Sequence, residues 1–353
     1  MHRNNGYEGP AGRLLGKVLT NGWIVKERLE RAPDATGGLY SIGYVVENEV
    51  GETAFMKAHD YARAIHENPA DFSRILEDML SAHNFEVELN EQLAGERLSR
   101  VVRVLEAGGI PVKGSDLPVN YLIFELAEGD IRHSLDEGAS GDRAWKLRTC
   151  HQVATGLSQL HRRGVAHQDL KPSNLMDFGE NGAKIGDLGS AWHQGRSSPI
   201  ANESFGGDPD YAPPECLFGF DTGDVESRLR ARDLYMFGSI VLFLFNGVDA
   251  TCALLTKLPK QHHPGVSGAD FEQALPHLIE ATERVAEEFA AELGQEPLDE
   301  LVGHYRQLCN PDPRRRGHPR SRTRHGDPHS LDRYISRFDH LAKRVGTDAA
   351  APQ

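Results

Sequence analysis

A chain of 353 residues, 39% of them hydrophobic and 26% charged, has the composition of a globular protein and the length for one large or two ordinary domains. Its 52 acidic against 39 basic side chains leave a formal charge of -13, which disfavours broad, sequence-independent attraction to nucleic acid or to an anionic membrane. Four cysteines, at 150, 216, 252 and 309, stand far apart with no C-x-x-C pair, so neither a zinc site nor a disulfide framework is expected. No apolar run approaches the ~18 residues that span a bilayer, and the first residues lack the apolar core of a signal peptide. The expectation is a soluble, cytoplasmic protein.

Residues 1–12 are polar and Gly-rich and read as a flexible tail. From there to about residue 60, the runs "WIVKERL", "YSIGYVVE" and "ETAFMKA", separated by Gly, Asn and Pro, predict antiparallel strands. The period then changes. Phe72, Ile75, Leu76, Met79 and Leu80 recur at helical spacing, and Phe85, Leu89 and Leu93 predict a second helix after a break near His83. "RVVRVLEAG" and "NYLIFEL" predict two further strands. Beyond Gly129, Leu147, Cys150, Val153, Ala154, Leu157 and Leu160 mark one face of a long helix that ends at Gly164. "LYMFGSIVLFLF" is too short for a membrane span and predicts a buried core helix. Residues 265–310 and 328–345 predict amphipathic helices, of which "GADFEQALPHLIEATERVAEEFAAEL" most simply adds packing surface. The basic run "RRRGHPRSRTR", from Arg314 to Arg324, reads as a solvated, partly flexible stretch. A strand-rich part is thus followed by a larger helical part, with a boundary near residues 126–130.

The densest chemistry lies in "VAHQDLKPSNLM", residues 165–176. Asp169 precedes Lys171 by two residues and Asn174 by five, and Pro172 discourages a continuous helix between them, so all three can point from one loop into one site. A carboxylate can orient a hydroxyl and take its proton, an ammonium can neutralise phosphate, and an amide oxygen can ligate a hard cation. Thirteen residues after Asn174, "IGDLGS" offers the carboxylate of Asp187 as a second oxygen ligand. These are the parts of phosphoryl transfer.

With "GDPDYAPPE", Asp233, Gly238 and "NPDPRRRG" following in order, the chain resembles the eukaryotic-type serine/threonine protein kinases over roughly residues 16–340. The resemblance implies an α+β, bilobal protein-kinase-like fold: a flexible tail at 1–12, a small antiparallel-sheet N-lobe at 13–127, a larger, mainly helical C-lobe at 128–345, and a C-terminal tail at 346–353. It implies ATP with Mg²⁺ (or Mn²⁺) as cofactors and a protein substrate as partner, with no nucleic acid and no membrane. Asp169 would be the catalytic base, Lys171 the contact to the transferred phosphate, and Asn174 and Asp187 the metal ligands. Gly38, Gly43 and Val45 fit the glycine-rich loop, with Tyr40 in place of its middle glycine. Lys57 stands where the family binds the α- and β-phosphates. Its helical carboxylate partner would be Glu88, with Glu91 as the rival. Phe124 would narrow the back of the adenine pocket, the backbone of Glu125 to Ala127 would bind the adenine edge, and Asp130 would reach the ribose. Glu215 and Arg316 would form a structural pair.

The family pattern is broken in places. Gln168 replaces the Arg that usually precedes the catalytic aspartate, so phosphorylation at Ser197, Ser198 or Ser204 loses its usual receptor. Asp208 replaces a bridging threonine, and it could either pair with Lys171 or repel Asp169. An active Mg-ATP-dependent kinase is the first reading. A nucleotide-binding pseudokinase scaffold is the second, and a small-molecule phosphotransferase the third.

Overall fold

The computed structural model describes residues 9–30, 40–67, 69–198, 207–221, 223–266, 270–294, 298–322 and 326–350. The chain divides into two compact units: Met1–Arg97 with Val102–Glu128 and Ser198–Ile200, and Leu98–Val101 with Gly129–Ser197 and Ala201–Gln353.

In the first unit, strands β1 (Ile24–Arg28), β2 (Ser41–Glu47), β3 (Thr53–His59), β4 (Val104–Ile110) and β5 (Val119–Glu125) form an antiparallel sheet in the order β1-β2-β3-β5-β4. Because side chains alternate along a strand, Tyr44 and Val46 of β2, Ala54, Met56 and Ala58 of β3, and Tyr121 and Ile123 of β5 bury one face as a core. Register gives the other face to Gly43 and Val45, Phe55 and Lys57, and Leu122 and Phe124. Gly43 sits opposite Lys57, and a Cβ there would come within 2.9 Å of the Phe55 ring. That close approach accounts for a glycine inside a strand.

After β3 come α1 (Tyr61–Glu67) and α2 (Phe72–Ala94). The break expected near His83 is absent: α2 runs unbroken for 23 residues. No Pro or Gly interrupts it. What changes near His83 is depth. Phe72 is exposed and Ile75, Leu76, Met79 and Leu80 are half-buried, whereas Ala82, Phe85, Glu86, Leu89 and Leu93 form a buried stripe. His83 lies inside the helix with its ring centroid 4.9 Å from that of His59, in an edge-on contact.

The second unit opens with β6 (Gly129–Asp130), α3 (Ile131–Asp136) and α4 (Arg143–His161), then the short strands β7 (Val165–Ala166), β8 (Leu175–Asp177), β9 (Ala183–Ile185), β10 (Trp192–His193) and β11 (Arg196–Ser197). Helices α5 (Pro214–Leu217), α6 (Val225–Asn246), α7 (Ala250–Lys257), α8 (Phe271–Leu293), α9 (Glu300–Leu308), α10 (Pro319–Arg322) and α11 (Asp332–Ala350) follow. Helix α6 is the predicted core helix. Asp224 caps it by accepting from the Ser227 amide, its middle is buried nearly all round, and Gly247 ends it in the left-handed conformation at φ 75°. A Cβ on Gly238 would sit 2.5 Å from Cys309 Sγ and 2.7 Å from Leu308 Cβ, so glycine lets α6 and α9 meet. Helix α8 packs Phe271, Leu278, Val285 and Phe289 inward beside α7 and α9, and α11 lies along α4. Among the described residues no single helix is long and apolar enough to cross a membrane.

The basic run is not simply solvated. Arg316 is 1% exposed, and Arg314 is paired with Glu272 at 2.9 Å and with Asp312 at 2.7 Å. Its last member, Arg324, lies outside the described residues.

His83, His304 and His329 are buried, and burial pushes each imidazole down to about 4. In the unfolded chain each titrates near ~6.5. Between these values the unfolded chain holds more protons than the folded one, so stability is lost as pH falls from ~6.5 towards ~4. For three such groups the slope reaches about 4 kcal/mol per pH unit. Burial raises the carboxyls of Asp60, Asp169 and Asp249, which offsets part of the loss at the acid end. Urea midpoints measured across this window should fall steeply with acid; a flat profile would mean that the folded protein already carries these protons.

Candidate active site

The loop after β7 is held from below by one buried carboxylate. Asp233 of α6 accepts from the backbone amides of His167 at 2.8 Å and Gln168 at 2.9 Å, from the Gln168 side chain at 2.9 Å, and is bridged to His161 Nε2 at 2.8 Å. Gln168 is 3% exposed, adopts φ 65°, and also donates to the Leu229 carbonyl at 2.9 Å. At this position the loop thus carries a neutral amide built into the interior. His167 Nε2 lies 2.9 Å from the Gly186 carbonyl, and its Nδ1 accepts from the Asp169 amide at 3.2 Å. These bonds assign the Nε2–H tautomer and tie the loop to the segment carrying Asp187.

Pro172 then starts a single turn of 3₁₀ helix, Pro172–Asn174, and hairpin β8-β9 returns the chain. Asn174 donates to the Asp169 carbonyl at 2.7 Å and to Asp169 Oδ2 at 3.0 Å. The other carboxylate oxygen of Asp169 accepts from the Asp208 amide at 2.9 Å. Lys171 Nζ lies 3.2 Å from Asp169 Oδ2 and 3.2 Å from Asp208 Oδ2. Of the two alternatives for Asp208, pairing with Lys171 is the one realised. Burial alone would lower the Lys171 ammonium, but the two carboxylates outweigh it and hold it above the ordinary lysine range. Burial pushes the Asp169 carboxyl up, Lys171 opposes this, and the charge of Asp187 adds to it.

Asp187 follows β9 at φ 55°, and the Gly189 amide donates to its Oδ1 at 3.3 Å. The Gly186 amide donates to the Asn174 carbonyl at 2.8 Å, which brings Asn174 and Asp187 to the same end of the hairpin. Among the described residues no group of three or more His, Cys, Asp or Glu is placed to hold a metal ion alone. One amide oxygen and one carboxylate suit instead a hard cation that keeps most of its coordination for water and phosphate, as Mg²⁺ does.

In the first unit, Lys57 is joined to α2, but through a different residue from the one expected. Glu86, 2% exposed, places Oε2 3.3 Å and Oε1 3.4 Å from Lys57 Nζ. Glu88 and Glu91 are exposed on other faces of the helix. The helical period decides it: Glu86 falls four residues after Ala82 and three before Leu89, on the buried stripe, while a shift of two residues turns a side chain about 200° round the axis. That stripe was the signal available in the sequence.

Gly38 lies outside the described residues, as does Ser204. Gly43 and Val45 share the sheet face of Lys57. Phe124 is 8% exposed, its ring centroid 6.2 Å from that of Phe55. Glu125 is the last residue of the β3-β5 ladder, which leaves Leu126 and Ala127 outside it. Asp130 departs from expectation. Its carboxylate caps α3 by accepting from the Arg132 and His133 amides and forms an ion pair with Arg132 at 2.6 Å, so it is committed to the fold. Glu215 and Arg316 form the expected pair, a two-pronged contact at 2.7 and 2.8 Å with both side chains fully buried.

Residues 37–320 match the protein kinase domain family. The chain is 25% identical over 63% of its length to a probable myosin light chain kinase of Dictyostelium discoideum, of which the match covers 61%. It is 30% identical over 34% of its length to serine/threonine-protein kinase par-4 of Caenorhabditis elegans, covering 19% of that protein. It is 36% identical over 36% of its length to serine/threonine-protein kinase PTK1/STK1 of Saccharomyces cerevisiae, covering 21%. The chain thus spans less than two thirds of each of these relatives.

Proposed function

Because the chain belongs to the protein kinase domain family, we propose that it transfers the γ-phosphate of ATP to Ser or Thr hydroxyls of protein substrates. The observation that carries this reading is the set of bonds that joins Asp169, Lys171 and Asn174 on one loop, anchored by Asp233, to Asp208 from a later segment. Asp169 orients the acceptor hydroxyl and takes its proton as the new O–P bond forms and the bond to the leaving ADP breaks. Lys171 draws off negative charge from the transferred phosphoryl oxygens. Asn174 and Asp187 would hold Mg²⁺, whose contribution is to neutralise phosphate charge. Lys57 takes the α- and β-phosphates, and Glu86 fixes its ammonium.

The test is incorporation of label from γ-labelled ATP with Mg²⁺ into the protein itself and into generic protein substrates, comparing wild type with Asp187→Asn. Labelled Ser or Thr that disappears in the variant supports the reading. No labelling by soluble, folded protein with Mg²⁺ or Mn²⁺ would reduce it to a nucleotide-binding scaffold. A sharper expectation separates the two helical carboxylates: Glu86→Gln should lower kcat/KM for ATP by about 10²-fold through misplacement of Lys57, whereas Glu88→Gln should stay within about twofold, as surface changes do. Equal effects would break the assignment. Gln168 offers no positive charge to a phosphorylated activation segment, so control of this kinase is assigned to another route.

A further inference from the structure

Part of the basic run is left unexplained by the site above: Arg314 and Arg316 serve the fold, whereas Arg320 lines a cavity of about 920 Å³ in the second unit. The exposed side of α11 supplies Arg333, Ser336 and Arg337 to its wall, and His318 and His304 complete it. Its carboxylates are already matched. Glu300 is paired with Arg337 (Nε at 2.9 Å), Asp327 with Arg230 at 3.1 Å, and Asp332 with Arg162 at 2.7 Å. Arg333, by contrast, has no carboxylate partner among the described residues. The imidazole of His318 is held below the usual range by burial and then by the nearby Arg333, Arg320 and Arg322. His304, only 7% exposed, has a buried Nδ1 with no hydrogen-bond partner.

Guanidinium, imidazole and hydroxyl groups along the wall suit a ligand that is anionic and rich in acceptors. Phosphate meets both needs, with several oxygens for several donors at once. The volume far exceeds that of phosphate alone, so the group would arrive on a larger body. We propose that the cavity between α9, α10 and α11 is a second, non-catalytic binding site for a phosphate group.

Calorimetric titration of the chain with inorganic phosphate, with a short phosphoserine peptide and with the same peptide unphosphorylated tests this. Both phosphate probes should bind saturably and the unphosphorylated peptide should not. Arg333→Ala should weaken binding by about tenfold or more, the loss expected for a charge-assisted contact. Lys57→Ala should leave it unchanged, which separates the cavity from the nucleotide-binding residues. Arg333 is exposed, and an unaltered melting temperature would show that the variant is folded. Tighter binding of the phosphoserine peptide than of inorganic phosphate would place the group on a protein segment; equal binding would point to a free phosphate compound. No saturable binding, or binding that Arg333→Ala does not weaken, overturns the site.

Discussion

Asp169→Asn should lower the rate of phosphate transfer by about 10²–10⁴-fold, the range that a positioned proton acceptor supplies. An amide of the same shape can still accept from the Asp208 backbone with its oxygen. Its nitrogen would then face two donors, Lys171 Nζ and Asn174 Nδ2, which lie 3.2 and 3.0 Å from Asp169 Oδ2 in the native protein. The variant therefore loses the base and also loosens Lys171, which keeps Asp208 as its remaining carboxylate. Single-turnover labelling with saturating ATP would measure the chemical step directly. A rate within about threefold of wild type would remove Asp169 from its proposed role. The wild-type pH profile gives an independent check. Burial holds the Asp169 proton to a higher pH than an ordinary aspartate would, so activity should fall on the acid side above the usual aspartate range. The residual activity of the variant should lack that limb.

How much of this could be read beforehand depended on distance along the chain. The catalytic loop is local: Asp169, Lys171 and Asn174 fall within six residues, and Pro172 fixes the turn between them, so spacing alone brings the three groups together. Landmark residues such as Glu215 and Arg316 stand 101 positions apart and were legible only because each belongs to its own motif. Choosing a partner for Lys57 needed the rotation of α2 as well as its existence. The expected break at His83 hid the continuous stripe from Ala82 to Leu93 that singles out Glu86. Asp130 was misread for a related reason. A polar residue just after a strand can reach a ligand or cap the next helix, and Arg132 two positions on drew it into the cap. The cavity walled by Arg320 and Arg333 was beyond reading, since its charge balance depends on Arg162 and Arg230, which come from α4's end and from α6.

Arg316→Ala should cost about 3–5 kcal/mol of stability, because it strands a buried carboxylate without its cation. Against a total of ~5–15 kcal/mol for a typical domain, that is a large share. Glu215 and Arg316 are both fully buried, and Arg316 also donates to the Ala231 and Asn310 carbonyls at 3.0 Å each. Two contributions are therefore mixed in the single variant, the orphaned charge and the lost backbone bonds. Glu215→Leu combined with Arg316→Met separates them. With neither charge to desolvate, the double variant should recover much of the loss in urea midpoint, short of wild type by what the unpaired Asn310 carbonyl costs, about 1–3 kcal/mol, since the Ala231 carbonyl lies inside α6 and keeps its helical donor. A double variant no better than Arg316→Ala would mean that the backbone bonds, and not the ion pair, hold this region. Activity should fail before the fold does. Glu215 sits seven residues beyond Asp208, whose amide orients Asp169 and whose carboxylate shares Lys171. Loosening its anchor should lower transfer at temperatures where the protein is still folded.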